Sequence, residues 1–131
     1  MLIDEIKAKE LLNLASLAKM RAYSPYSNFK VGSALLSTNG TIITGCNVEN
    51  ASYGLTICAE RNAIFSAVNQ GFTKGDFVAI AIAASSKNFS PCGACRQVIA
   101  EFGDDILVIF EFNGELQIKK AKELLPFSFE L

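Results

Sequence analysis

"SPCGACRQV", Ser90–Val98, sets two thiols three residues apart behind a proline, in a chain with no histidine. Ser is a favoured helix N-cap and Pro a favoured first helical residue. The stretch therefore predicts a helix opening at Cys92, with Cys95 one turn on and on the same side. Cys95, Val98, Ile99 and Phe102 share one face, and Gly103 ends it. Strand-like "DFVAIAIAA" (Asp76–Ala84) precedes this helix and "DDILVIFEF" (Asp104–Phe112) follows it. Helical crossovers in the middle of the chain, with hairpins at its ends, imply a mixed sheet.

Hairpins flank that unit. "KVGSALLS" (Lys30–Ser37) and "TIITG" (Thr41–Gly45) are strand-like, and Asn39-Gly40 between them is a type I′ turn signal. Asn113-Gly114 is a second turn signal, leading into "ELQIKK". Residues 4–22 read as a helix with Leu11, Leu14, Ala15 and Ala18 on its buried face, broken by "AYSPYSNF". Another helix runs from near Cys58 to about Asn69, and "AKELL" (Ala121–Leu125) is a short last one. The expected fold is α/β: one domain, residues 1–131, in three α/β/α layers around a mixed five-stranded sheet.

Bulk properties narrow the function. A length of 131 residues, half of them apolar, fills one core. The net charge of −1 argues against a nucleic-acid partner, which needs clustered Lys and Arg. No apolar run approaches the ~18 residues of a membrane span, and "MLIDEIKAKE", charged within four residues, lacks a signal-peptide pattern. The expected location is cytoplasmic, where thiols stay reduced, so the four cysteines are metal ligands, catalysts or core filler.

Thr56, two residues before Cys58, resembles a cap as Ser90 does, which puts Cys58 too in the first turn of a helix. Three thiolates at two helix starts suit Zn²⁺, and three protein ligands leave the fourth position open, as in catalytic sites. Alternatives remain. A C-x-x-C can be a redox pair, although such pairs usually follow the first βα turn. Cys46 can complete a closed structural zinc site, or any of these thiols can simply fill core. Glu60 bears on the choice: a carboxylate two residues after a cysteine, with P-C-x-x-C some thirty residues on, is the signature of zinc deaminases, where the Glu does not bind metal. Two residues on an ideal helix differ by about 200°. Cys58 and Glu60 therefore converge only if Cys58 sits at the helix edge or the metal lies near the axis. Zinc with three thiolates is formally −1, and the helix N-termini and Arg61 are the candidates to compensate.

"NVENASYGLTICAERNA" with "SPCGACRQV" resembles the small, all-cysteine, homotetrameric cytidine deaminases. "AYSPYSNFKVGSALL" and "ELLPFSF" extend the likeness over almost the whole chain. The resemblance implies one zinc on Cys58, Cys92 and Cys95, with Glu60 as proton shuttle and Arg61 hydrogen-bonded to the thiolates. It implies ribose contacts from Asn47 and Glu49, base contacts from Phe29 and the Ala59 backbone, and Ala51, Tyr53 and Phe129 reaching a neighbouring subunit's site. The substrate would be a free nucleoside. The tail departs from the pattern: Pro126-Phe127-Ser128-Phe129 offers two phenylalanines where relatives have small residues before one. Blasticidin-S deaminases share the zinc motifs but lack the Glu of the ribose clamp, so Glu49 favours cytidine. A non-catalytic, zinc-stabilised oligomer is the alternative outside enzymology.

Overall fold

The computed structural model describes residues 3–131. Its elements are α1 (Glu5–Lys19), β1 (Val31–Ser37), β2 (Ile42–Cys46), α2 (Ala59–Asn69), β3 (Phe77–Ala84), α3 (Gly93–Phe102), β4 (Leu107–Phe112), β5 (Glu115–Lys120) and α4 (Ala121–Leu124), with a 3-10 turn at Tyr53–Leu55. The sheet order is β2-β1-β3-β4-β5. Among the named strands β3 and β4 run parallel, joined through α3, and the other pairings are antiparallel. This is the expected mixed sheet of five strands.

Each face of the sheet has its own core. Ala8, Leu11, Leu12 and Ala15 of α1 pack on Ala34, Leu36, Ala79, Ala81 and Ile109. On the other face, Ala63, Ile64 and Ala67 of α2 and Ile99 of α3 pack on Leu35, Ile43, Ile80, Ile82 and Val108. Alternate residues of β1 thus serve opposite layers, as a period of two requires. Leu12 takes the buried place expected for Leu14, which is half-buried. Asp4 caps α1 by accepting the Lys7 N–H at 2.8 Å.

The two hairpin turns differ. Asn113 and Gly114 both have positive φ, 54° and 77°, which is type I′ geometry. At the first hairpin only Gly40 is left-handed, φ 89°, and its N–H donates to the Ser37 carbonyl while Ser37 N–H donates to Thr41. Three residues, Thr38–Gly40, form that loop, so the two-residue I′ turn expected at Asn39-Gly40 is not made. Hydrogen bonding of the Asn39 side chain to the Thr41 N–H at 3.0 Å stabilises the longer loop instead.

Two glycines let helices lie close on the sheet. A Cβ on Gly32 would stand 2.0 Å from the Ala15 carbonyl oxygen and 2.3 Å from the Lys19 nitrogen, both backbone atoms of α1. A Cβ on Gly45 would stand 2.6 Å from the Ala59 oxygen and from the Ala63 nitrogen of α2. Neither backbone can yield without moving its helix. Gly32→Ala is expected to destabilise the protein by about 3 kcal/mol or more and to lower Tm by roughly 10 °C. Lys9→Ala, on the exposed side of α1, should change Tm by less than about 2 °C. Thermal unfolding of both variants checks the contrast.

Candidate active site

Beside Gly45, α2 begins. Its N-cap is Cys58 itself, with extended φ −71° and ψ 155°. The N-cap of α3 is likewise Cys92, whose sulfur accepts the Cys95 N–H at 3.4 Å. Both thiols therefore stand one step outside the helix, where Thr56 and Ser90 were expected to cap and the cysteines to follow in the first turn. Sulfur does at α3 what a cap oxygen normally does, satisfying one orphan N–H. Pro91 precedes the cap and does not occupy the first helical position.

The cap position also removes the angular conflict between Cys58 and Glu60. Their 200° separation holds only inside a helix. With Cys58 in extended backbone, its side chain can face the same space as Glu60 in the first turn.

Sγ of Cys58, Cys92 and Cys95 all lie within 4.8 Å of one another. Cys58 and Cys92 are 3.9 Å apart. Sulfurs at ~2.3 Å from a tetrahedral zinc stand about 3.8 Å from each other, so this donor set fits the ion. Among the described residues the group holds these three alone, and Cys46 lies outside it. Cys46, at the end of β2, contributes its carbonyl oxygen to Asn62 Nδ2 at 2.8 Å. The cluster that could hold the ion is therefore the three-cysteine one. Cys95 is buried, Cys58 half-buried and Cys92 exposed, so the triad opens to solvent on one side.

Charge is unevenly held among the three thiols. Hydrogen bonding from Cys95, reinforced by Arg61, pulls the Cys58 thiol down to about 5. Its partner Cys95 is pushed up, first by that same hydrogen bond and then by burial. Arg61 Nη2 donates to Cys58 Sγ at 3.4 Å, and this bond raises the guanidinium further. Arg61 Nε is buried without a partner. Glu60, only 1% exposed, is pushed up to about 7, mainly by burial, and its Oε1 has no hydrogen-bond partner. A buried carboxyl oxygen with nothing bound to it costs stability. Such groups concentrate where a ligand or a reaction uses them.

The residues expected to meet a nucleoside sit on the segments leading to this centre. Phe29 is half-buried, its ring 6.4 Å from that of Phe89. Asn47 is buried: Oδ1 accepts Val31 N–H at 2.9 Å and Nδ2 donates to the Phe29 carbonyl at 2.8 Å. One N–H of that amide stays available. Asn47 thus first fixes the strand entry that carries Phe29, a job its sequence context did not reveal. Ala59 is fully buried, and its carbonyl accepts the Ser33 hydroxyl at 2.8 Å. Ser33 and Gly45 are register partners across β1 and β2, and together they seat the first turn of α2. Nothing in their local sequence marks them, because both act through a helix far along the chain. Glu49 lines a shallow pocket of ≈ 370 Å³ with Tyr26, Ser27, Asn50, Tyr53 and Thr56. Ala51, Tyr53 and Phe129 are exposed, and the Phe129 carbonyl accepts the Gln97 side-chain N–H at 3.1 Å.

Residues 5–111 match the family described as the cytidine and deoxycytidylate deaminase zinc-binding region. The chain is 48% identical over 122 residues to a cytidine deaminase of Halalkalibacterium halodurans, covering 91% of each. A crystal structure of cytidine deaminase from Burkholderia pseudomallei superposes with a TM-score of 0.89 at 47% identity, covering 92% of this chain and 98% of that one. Similarity to a blasticidin-S deaminase of Bacillus cereus is lower, 32% over 127 residues. Fold, sulfur triad and sequence agree, and the chain belongs to the zinc-binding cytidine and deoxycytidylate deaminase family.

Proposed function

We propose that this chain, as a single deaminase domain over residues 1–131, hydrolyses cytidine and deoxycytidine to uridine and deoxyuridine, releasing ammonia. The observation that carries the reading is a buried Glu60 carboxyl, its Oε1 without a partner, beside three convergent thiols. Cys58, Cys92 and Cys95 would hold the zinc. Zinc bound there supplies a Lewis acid that brings the ionisation of water towards neutral pH. Glu60 takes one proton from the water and delivers it to N3 of the pyrimidine as the water oxygen bonds to C4. It then carries the second proton of that oxygen to the amino group, and the C4–N bond breaks to release ammonia and leave the C4 carbonyl. Burial favours the protonated form of this carboxyl, which suits it to carry a proton between water and substrate. Arg61 offsets the excess negative charge of three thiolates through its bond to Cys58.

Substrate placement follows from the same segments. Glu49 and the free N–H of Asn47 are suited to sugar hydroxyls, and Phe29 and the Ala59 backbone to the base. The intact Glu49 carboxylate and the higher identity to cytidine deaminases favour a nucleoside over a blasticidin-type substrate. Fully exposed Phe127 and Leu131, with exposed Phe129, Tyr53 and Leu55, support a homotetramer whose tails and 3-10 turns reach neighbouring sites. Its salvage role would lie in the cytoplasm, where the thiols stay reduced. The test is the fall in absorbance when the purified protein meets cytidine, beside zinc per chain and mass in solution. The expected result is turnover, one zinc per chain and a four-chain particle. A zinc-loaded protein inert towards both nucleosides would overturn the reading.

A further inference from the structure

The hydroxyl of Ser27 lies between two residues that the proposed function gives to the nucleoside. It donates to Glu49 Oε2. It also accepts the Phe29 N–H at 3.0 Å. The other carboxylate oxygen, Oε1, accepts the N–H of Tyr26 at 3.0 Å and of Ser27 at 3.1 Å. Three donors from two adjacent residues thus converge on one side chain 22 and 23 positions away in sequence. With the Phe29 N–H on its lone pair, the Ser27 hydroxyl has its hydrogen directed at Glu49. A carboxylate has about four acceptor sites, so this arrangement leaves one for an incoming hydroxyl. The same bonds, the Ser27 hydroxyl foremost, hold Glu49 below the usual carboxylate range and keep it an acceptor.

We propose that Ser27 is a positioning residue for sugar recognition: its hydroxyl locks the Glu49 carboxylate in the orientation that meets the sugar. The inference rests on the nucleoside reading of Glu49. It concerns binding and not the proton transfers, so it predicts a change in KM with kcat preserved.

Three variants of the full protein test it: Ser27→Ala, Ser27→Thr and Glu49→Gln. Each is assayed with cytidine, and with 2′,3′-dideoxycytidine as a competing ligand that has no 2′- or 3′-hydroxyl. Ser27→Ala should raise the cytidine KM about tenfold, the scale of one charge-assisted hydrogen bond, with kcat within about twofold. Its inhibition constant for dideoxycytidine should stay near wild type, and Ser27→Thr should restore the cytidine KM. Equal weakening of both ligands would mean general loosening of the turn and would overturn the proposal. So would an unchanged KM in Ser27→Ala when Glu49→Gln raises it, which leaves the nucleoside reading standing. An unchanged KM in Glu49→Gln removes that reading of Glu49, and the proposal with it.

Discussion

Glu60→Gln is expected to lower kcat about 10⁴-fold while zinc stays bound and the fold stays intact. The amide keeps the shape of the carboxyl and the first turn of α2. It cannot take a proton from water or carry one to the pyrimidine, and positioned acid–base catalysis is worth up to about 10⁴-fold. The effect lies in the chemical step because two transfers, to N3 and to the leaving amino group, pass through one side chain. KM should change by much less, since the carboxyl is not among the groups assigned to the sugar. Stability should not fall: a neutral amide costs less to bury than an ionisable group at 1% exposure. Stopped assays, zinc per chain and Tm on the same preparation check all three. An active variant would remove Glu60 from the mechanism, and an inactive variant without zinc would show that the carboxyl supports the metal instead.

Much of this centre was legible in the sequence because its elements are local. The C-x-x-C at a helix start, the Glu two residues after Cys58 and the Asn113-Gly114 turn each express a rule about neighbours in sequence. Apolar runs of the right length gave the strands, and alternating hairpins and crossovers gave the sheet. What escaped depends on distant parts of the chain or on unusual chemistry. Capping preferences are dominated by oxygen side chains, so Ser90 and Thr56 looked like the caps and the thiols did not. Loop length at Asn39-Gly40 depends on strand register, which pairs Leu36 with Ile42 and leaves more than two residues to turn. Ser33, Gly45 and Asn47 matter through contacts with α2 and with the entry to β1, which no window of sequence contains. Ser27 sits in a quoted motif, yet only the fold brings Glu49 to it.

Cys95→Ala should lose zinc, activity and stability together, and its contrast with Arg61→Ala and Cys46→Ala shows how the centre is built. Cys95 is the buried member of the triad, placed within α3 where its backbone is fixed by the helix and by the bond to Cys92. Without it two sulfurs remain, which is too few for a stable zinc site. Metal that binds only the folded protein stabilises it by mass action, so Tm should drop even though alanine suits a helix. Arg61 touches Cys58 but brings no sulfur. Its removal should weaken zinc about 10–100-fold, the usual cost of losing an outer partner of a metal ligand. Cys95→Ala should cost more than that and leave no measurable turnover. Cys46, outside the cluster, should retain full zinc and near-normal kcat as alanine. Zinc affinity by competition with a chelator, with Tm and kcat alongside, reads the order Cys46, Arg61, Cys95. Loss of zinc from Cys46→Ala would contradict a three-sulfur centre, because it would mean that the fourth thiol, and not solvent, completes the coordination.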